Sequence, residues 1–385
     1  MLLACAQIGA LTGVLTCSVI APVPAVSEVS ATIDMLLLSM EDAINRGDAG
    51  AYMALVDTGD PIFATEQRAW ANGSIEESVE DVMIARVWDA MIEMNGADEA
   101  VTMIEIVWHI AEEELDRSYT FEARFVPVGL PEGAWVFAGR AWTARDVGDG
   151  VVVYSDDVFD GPRELVIERV PELRSEVESA LGVQLDEDIS VKVYPDVSSL
   201  QASISMAYTD YLSGWNEPGE SIKILGRKDL DGERFDTLLA HEIGHAVSFA
   251  MGKEMINAPW WVLEGIAEVA AEPFRAGESD TRVQRLVKLR RNDELRDWDL
   301  LADFGGEANN HAMFVYLQGW GMVHHITEFY GADKRNAWLG EMGKGETLDQ
   351  ATRNALGISF GSLDNQWRAM LAAQASLEPV IENDE

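Results

Sequence analysis

Cysteine is nearly absent from this chain. Its 385 residues include two, Cys5 and Cys17, both close to the amino terminus. Beyond them no thiol is available for a disulfide framework, a redox step or a cysteine-rich zinc site, so stability must come from apolar burial. Cations are also scarce. Lys and Arg number 28 against 67 Asp and Glu, for a net charge of −39. Phosphate backbones and anionic lipid surfaces need clustered cations, which excludes nucleic acid as a partner and argues against adsorption to an anionic membrane. Histidine is limited to six residues, so close spacing between any two carries information. Apolar residues are plentiful at 48%, on a chain long enough for two domains with separate cores.

Charge is missing altogether from Met1 to Ser27. The apolar run to Ile20, followed by Ala21-Pro-Val-Pro-Ala25 with its Val-x-Ala-like cleavage site, reads as a signal peptide without the usual basic start. The same run is long enough to remain as a membrane anchor, and Leu2-Leu3-Ala4-Cys5 resembles a bacterial lipobox. All three readings imply export, to a secreted, periplasmic or surface-anchored location, and two of them imply membrane attachment through this segment. At the other end, residues 376–385 form an acidic tail.

Residues 31–148 read as one α+β unit. Ile33, Leu36, Leu37, Met40, Ala43 and Ile44 have helical spacing, and Ala51–Val56 begins a further helical turn. A helical stretch is expected around Glu76–Met94, with Val79, Val82, Met83, Val87 and Met91 inward. Three strand-like runs follow, at Ala100–Ile110, Ser118–Val126 and Ala134–Arg145. Helices followed by a long antiparallel meander resemble the SnoaL-like, cystatin-like cone fold. His109, beside Trp108 in the first of these strands, reads as an ordinary strand histidine. Asp146-Val-Gly-Asp-Gly150 marks a boundary. Beyond it come the strand Val151–Tyr154, a helix over Glu164–Leu181, the strand Ile189–Tyr194, an irregular stretch at Thr209–Glu220 and the strand Ser221–Leu225.

The chemistry is concentrated at His241-Glu242-Ile-Gly-His245, an HExxH motif. On a helix, residues four apart share a face, so the two imidazoles can offer nitrogens to one metal. Glu242 then lies where it can polarise a metal-bound water. Catalytic zinc usually takes three protein ligands, and Trp261-x-x-Glu264-Gly265 supplies a candidate third, with Glu268 one turn further on. This pattern resembles the gluzincins of the peptidase MA-like group. The resemblance implies Zn2+ on His241, His245 and Glu264, with Glu268 orienting a zinc-bound histidine, His241. A buried structural helix, or a zinc site without chemistry, could use the same residue types, but a structural site tends to close its fourth position with Cys or His, and no cysteine lies near.

The implied fold class is α+β: a cone-like amino-terminal domain with an antiparallel sheet, then a gluzincin-type domain over 151–375 with a small sheet and a mostly helical carboxy-terminal half. In that arrangement Ser221–Leu225 is the candidate edge strand for an extended peptide. The segment His311 to Gly331 resembles the helix found after the zinc ligands in this group. That makes Tyr316 the candidate oxyanion donor, with His311, His324 and His325 as lesser ones. Gly345–Trp367 looks like the group's closing helices. Arg282, Arg285, Lys288, Arg290 and Arg291 form the single basic cluster and read as a solvated helix face. The implied activity is that of an exported zinc peptidase, endopeptidase-like because the Gly-x-Met-x-Asn signature of the clan's aminopeptidases is absent. Its substrate is a peptide or protein, attacked through zinc-activated water with Glu242 as general base. The alternative is a catalytically inactive exported binding protein on a zinc-containing platform.

Overall fold

The computed structural model describes residues 26–377 apart from 77–78, 112, 130–132, 157–159, 210, 227–231, 276 and 305. The leader, with both cysteines and its signal-peptide, anchor and lipobox readings, lies outside the described residues, as does the tail from residue 378. No helix among the described residues is long and apolar enough to cross a membrane.

Helix α1 (Val26–Asn45) buries Val29, Ile33, Leu36, Leu37, Met40, Ala43 and Ile44 along one stripe and stops before Gly47, whose φ of 69° an L side chain rarely adopts. Helix α2 (Ala49–Met53) is capped by the Asp48 carboxylate, which accepts from the Ala51 N–H. Helix α3 (Pro61–Glu76) opens on a proline, with the Asp60 carboxylate accepting from Ile62 and Phe63 N–H.

The expected helix at Glu76–Met94 is not formed. Glu76 ends α3, and Val79–Arg86 is strand β1. Along it Val82 and Ile84 are buried while Met83 is 42% exposed, the two-residue period of a strand, and pairing with β3 outweighs the helical spacing of the apolar residues. Strand β2 (Glu93–Met94) also pairs with β3 (Ala100–Ile110), and β4 (Arg117–Pro127) and β5 (Trp135–Arg140) continue the meander in the order β1-β3-β4-β5. The inward residues of this antiparallel sheet, among them Ile104, Ile106, Trp108, Phe121, Phe125 and Phe137, share one core with α1 and α3.

The run expected as a single strand over Ala134–Arg145 divides after Arg140. Strand β6 (Thr143–Gly148) turns away to pair with β7 (Val151–Ser155) in a second sheet, and Asp149-Gly150, both at positive φ, make the hairpin turn. Helix α4 (Asp160–Leu181) crosses to β8 (Ile189–Tyr194), which runs parallel to β7. Helix α5 (Val197–Ile204), β9 (Gly214–Trp215) and β10 (Ile222–Leu225) complete the order β6-β7-β8-β10-β9. Strand β10 is therefore not the edge: it lies parallel to β8 on one side and antiparallel to β9 on the other. The two-residue β9 occupies the edge expected of Ser221–Leu225.

The rest is helical: α6 (Gly232–Ala250), α7 (Trp260–Ala270), α8 (Glu278–Arg291), α9 (Ala312–Tyr330), α10 (Ala332–Gly343), α11 (Leu348–Leu356) and α12 (Phe360–Leu377). Their core joins the second sheet and includes four fully buried tryptophans, Trp261, Trp320, Trp338 and Trp367. The architecture is α+β, with an antiparallel amino-terminal sheet, a small second sheet and a helical carboxy-terminal half.

The two layers meet at buried charge. Glu66 on α3 accepts from the Lys192 ammonium of β8 and from the Ser221 N–H and hydroxyl beside β10. Burial works to raise the Glu66 pKa, but Lys192 and Lys223 bring it below the usual range. Trp70 of α3 donates its indole N–H to the Ala202 carbonyl of α5.

Candidate active site

Helix α6 projects His241 and His245 from one face, with ring centroids 4.8 Å apart and their Nε2 atoms separated by 3.2 Å. Helix α7 packs across it and brings Glu264 Oε2 to 3.1 Å from His241 Nε2 and 3.6 Å from His245 Nε2. These three donor atoms lie within 4.8 Å of one another, and all three residues are buried. The donor set suits zinc. Glu264 Oε1 accepts the Trp260 indole N–H at 2.7 Å, while Oε2 is buried beside the two imidazoles without a hydrogen-bond partner. A buried carboxylate oxygen left in that state is costly unless a cation takes it. Zinc fits these residues.

Glu268 Oε1 lies 3.0 Å from His241 Nδ1, which leaves Nε2 as the nitrogen aimed at the cluster. Two guanidinium groups hold Glu268 in turn. Arg275 donates to both of its oxygens, and Arg282 reaches Oε2 at 2.5 Å. Arg282 thus leaves the solvated face expected of the α8 basic cluster: it is mostly buried and lies over the Trp320 ring at 4.4 Å.

Electrostatics follow from this packing. Burial would lower the His241 pKa, but the neighbouring carboxylates of Glu264 and Glu268 raise it to about 10. Burial would raise Glu264, yet the two histidines bring it down to about 2. Glu268 is likewise held well below the carboxylate range by His241 and the arginines, against the effect of burial. Burial raises Glu242, with the two histidines opposing. Tyr316 is pushed well above the ordinary phenol value, first by burial and then by the carboxylates around it.

The cluster forms one wall of a cleft of about 1190 Å³. Glu242 faces this cleft beneath strand β9. A Cβ at Gly214 would come within 2.6 Å of Glu242 Cδ, so a larger residue here would push the carboxylate from its place. Tyr316 of α9 also lines the cleft, its ring 6.0 Å from that of His241. The other histidines do not line it. His311 lies 3.3 Å from Glu307, His324 bonds Glu272 at 3.3 Å, and His325 packs its buried ring on Phe329. His109 is a half-buried strand histidine 3.1 Å from Asp116.

Several contributors escaped the sequence reading. Trp260 stands four residues before Glu264, a helical spacing that could have flagged it. Arg275, Arg282, Gly214 and Phe304 reach the site only through tertiary packing, and no local pattern marks them.

Two helices bearing the HExxH pair and a glutamate, set against a mixed sheet, define the zinc-peptidase fold class. Residues 175–373, just over half of the chain, match the family model of the Peptidase MA superfamily. The chain belongs to that superfamily. Comparison with curated proteins finds no match. Among solved structures it is similar to native yeast LTA4 hydrolase, at 11% identity and a TM-score of 0.40, covering 76% of this chain and 59% of that one. It is also similar to the M1 zinc metallopeptidase from Deinococcus radiodurans, at 13% identity and a TM-score of 0.38, covering 78% of this chain and 64% of that one. The chain spans less than two thirds of the length of either protein.

Proposed function

We propose that this chain is a zinc-dependent peptidase whose metal is held by His241, His245 and Glu264. The observation that carries the reading is the convergence of three buried donor atoms within 4.8 Å in the wall of an open cleft, with Glu242 beside them. Zinc bound there supplies Lewis acidity toward water and toward a peptide carbonyl. Glu242 is the general base: its carboxylate, whose pKa burial raises, takes a proton from the attacking water and returns it to the leaving amine. Tyr316 stays protonated because its pKa is raised, so its O–H can donate to the developing oxyanion. Glu268 fixes the His241 tautomer, and the Trp260 indole fixes the orientation of Glu264.

The open cleft favours an enzyme over an inert binding platform, since a platform has no need to line its cleft with Glu242 and a phenol beside the donors. The test is zinc content and cleavage of a broad peptide library for the whole chain and its Glu242→Gln variant. One zinc in each, with cleavage reduced at least ~100-fold in the variant, is the expected outcome. One zinc with no cleavage in either would move the reading to the binding platform. Absence of zinc from both would overturn it.

A further inference from the structure

Five aromatic rings stand in edge contact along one flank of the cleft. Tyr208 meets Trp215 at 5.4 Å, Trp215 meets Phe304 at 5.9 Å, Phe304 meets Trp260 at 5.1 Å, and Trp260 meets Tyr316 at 6.3 Å, with interplanar angles of 64–85°. They come from well-separated parts of the chain, among them the edge strand β9, the first turn of α7 and helix α9, so the row is a product of the fold and not of a local sequence run. It ends at the metal donors. Tyr316 lies 6.0 Å from His241, and Trp260 bonds Glu264.

The middle of the row is open. Phe304 is 54% exposed although two indoles hold it in place, and the opening is extended by Tyr211 at 64% and Ile256 at 40%, which also line the cleft. A ring fixed by its edges with a face left to solvent offers a rigid surface for another apolar group. Edge-to-face aromatic contacts of this geometry add attraction beyond the area they bury, and such rings commonly line ligand pockets. A carboxylate set against these apolar rings would lose its hydration with no cation among them to replace it, although the wider cleft is lined by both signs of charge, Glu217 and Asp303 as well as Arg234 and Arg275.

We propose that Trp215, Phe304 and Trp260 form a specificity subsite that takes an aromatic or large aliphatic side chain of the peptide next to the cleaved bond. This selectivity rests on the peptidase reading above, because it assigns which peptides that site accepts. It has an independent physical content, because the subsite discriminates in binding as well as in turnover.

The test uses peptides identical except for one residue, Phe, Leu, Ala or Glu, flanking the scissile bond. The full chain should show kcat/KM for Phe and Leu at least ~10-fold above Ala, with Glu lowest; truncating an apolar side chain in such a pocket is worth about 10- to 200-fold. Phe304→Ala should collapse the Phe-to-Ala ratio to within ~3-fold, chiefly through KM, and Phe304→Leu should restore part of it. Phe329→Ala, an exposed aromatic outside the cleft, should leave the ratio as it is. Equal cleavage of the Phe and Ala peptides would overturn the proposal, and so would a Phe304→Ala variant that keeps the ratio. Affinities of the same peptides for Glu242→Gln, measured by calorimetry, separate this failure from that of the peptidase reading. If nothing is cleaved, at least ~10-fold tighter binding of the Phe peptide still supports the subsite, and equal binding overturns it.

Discussion

Placing a methyl group at Gly265 should weaken both the fold and the metal site. Helices α7 and α9 touch through Gly265 and Gly319: a Cβ on Gly265 would lie 2.6 Å from the carbonyl carbon and oxygen of Gly319 and 2.9 Å from Val323 Cγ2. Non-bonded carbon contacts are comfortable at about 3.5–4.0 Å, so the helices must separate by about 1 Å. The obstacle is backbone, which cannot rotate away. Alanine favours a helix over glycine by about 1 kcal/mol, whereas overpacking costs about 1–3 kcal/mol, or more when backbone must move. The net expectation for Gly265→Ala is a loss of up to about 2 kcal/mol. The shift also carries Glu264, one residue before, away from the imidazoles on α6. Metal sites tolerate about 0.2 Å in ligand distance, so zinc affinity should fall at least ~10-fold. Urea unfolding of the metal-free protein and competition with a chromophoric chelator measure the two effects. A variant at least as stable as the parent, with zinc affinity within twofold, would refute the close-packing argument.

Glu66→Ala strands the Lys192 ammonium between the two layers and should cost about 3–5 kcal/mol, with Glu66→Gln costing less because it still accepts hydrogen bonds. An unfolding free energy within 0.5 kcal/mol (roughly the scatter of a surface substitution) would show that the contact is dispensable. His325 gives a pH dependence. Burial first, and then His324, lower its pKa to about 4 in the folded chain against an unfolded value near 6.5. Below about pH 6.5 the unfolded chain binds a proton that the folded chain refuses, so stability declines toward pH 4, by at most about 3 kcal/mol. His324 works in the opposite sense: its hydrogen bond to Glu272 raises its pKa, and that stabilisation, present at low pH, fades as pH rises. His325→Leu should therefore flatten the acid limb, and urea midpoints that fall equally in both proteins between pH 7 and pH 5 would exclude His325 as its source.

The cluster of His241, His245, Glu264 and Glu268 was legible because each of its two pairs is local, four residues apart on one helix, and a single short connection joins the helices. The arginines that hold Glu268 were not, since Arg275 and Arg282 arrive from other segments. The segment after Glu76 misled because Val79, Val82 and Met83 also fit a helical period, and only the partner strand β3 decides between the two. The edge strand was misplaced for a different reason. Gly214–Trp215 is two residues long, too short to show alternation, so the longer Ser221–Leu225 run took its place in the sequence reading.

The buried contact between α3 and the second sheet bears on how portable this architecture is. Lys192 and Ser221 belong to the part of the chain that carries the zinc-ligand candidates, yet both direct polar groups at a carboxylate contributed by the other part. An exchange that grafted a different amino-terminal layer would leave a lone ammonium facing hydrocarbon unless the graft brought its own acid to the same spot. Engineered chimaeras should thus be cut so that residue 66 and residue 192 travel together.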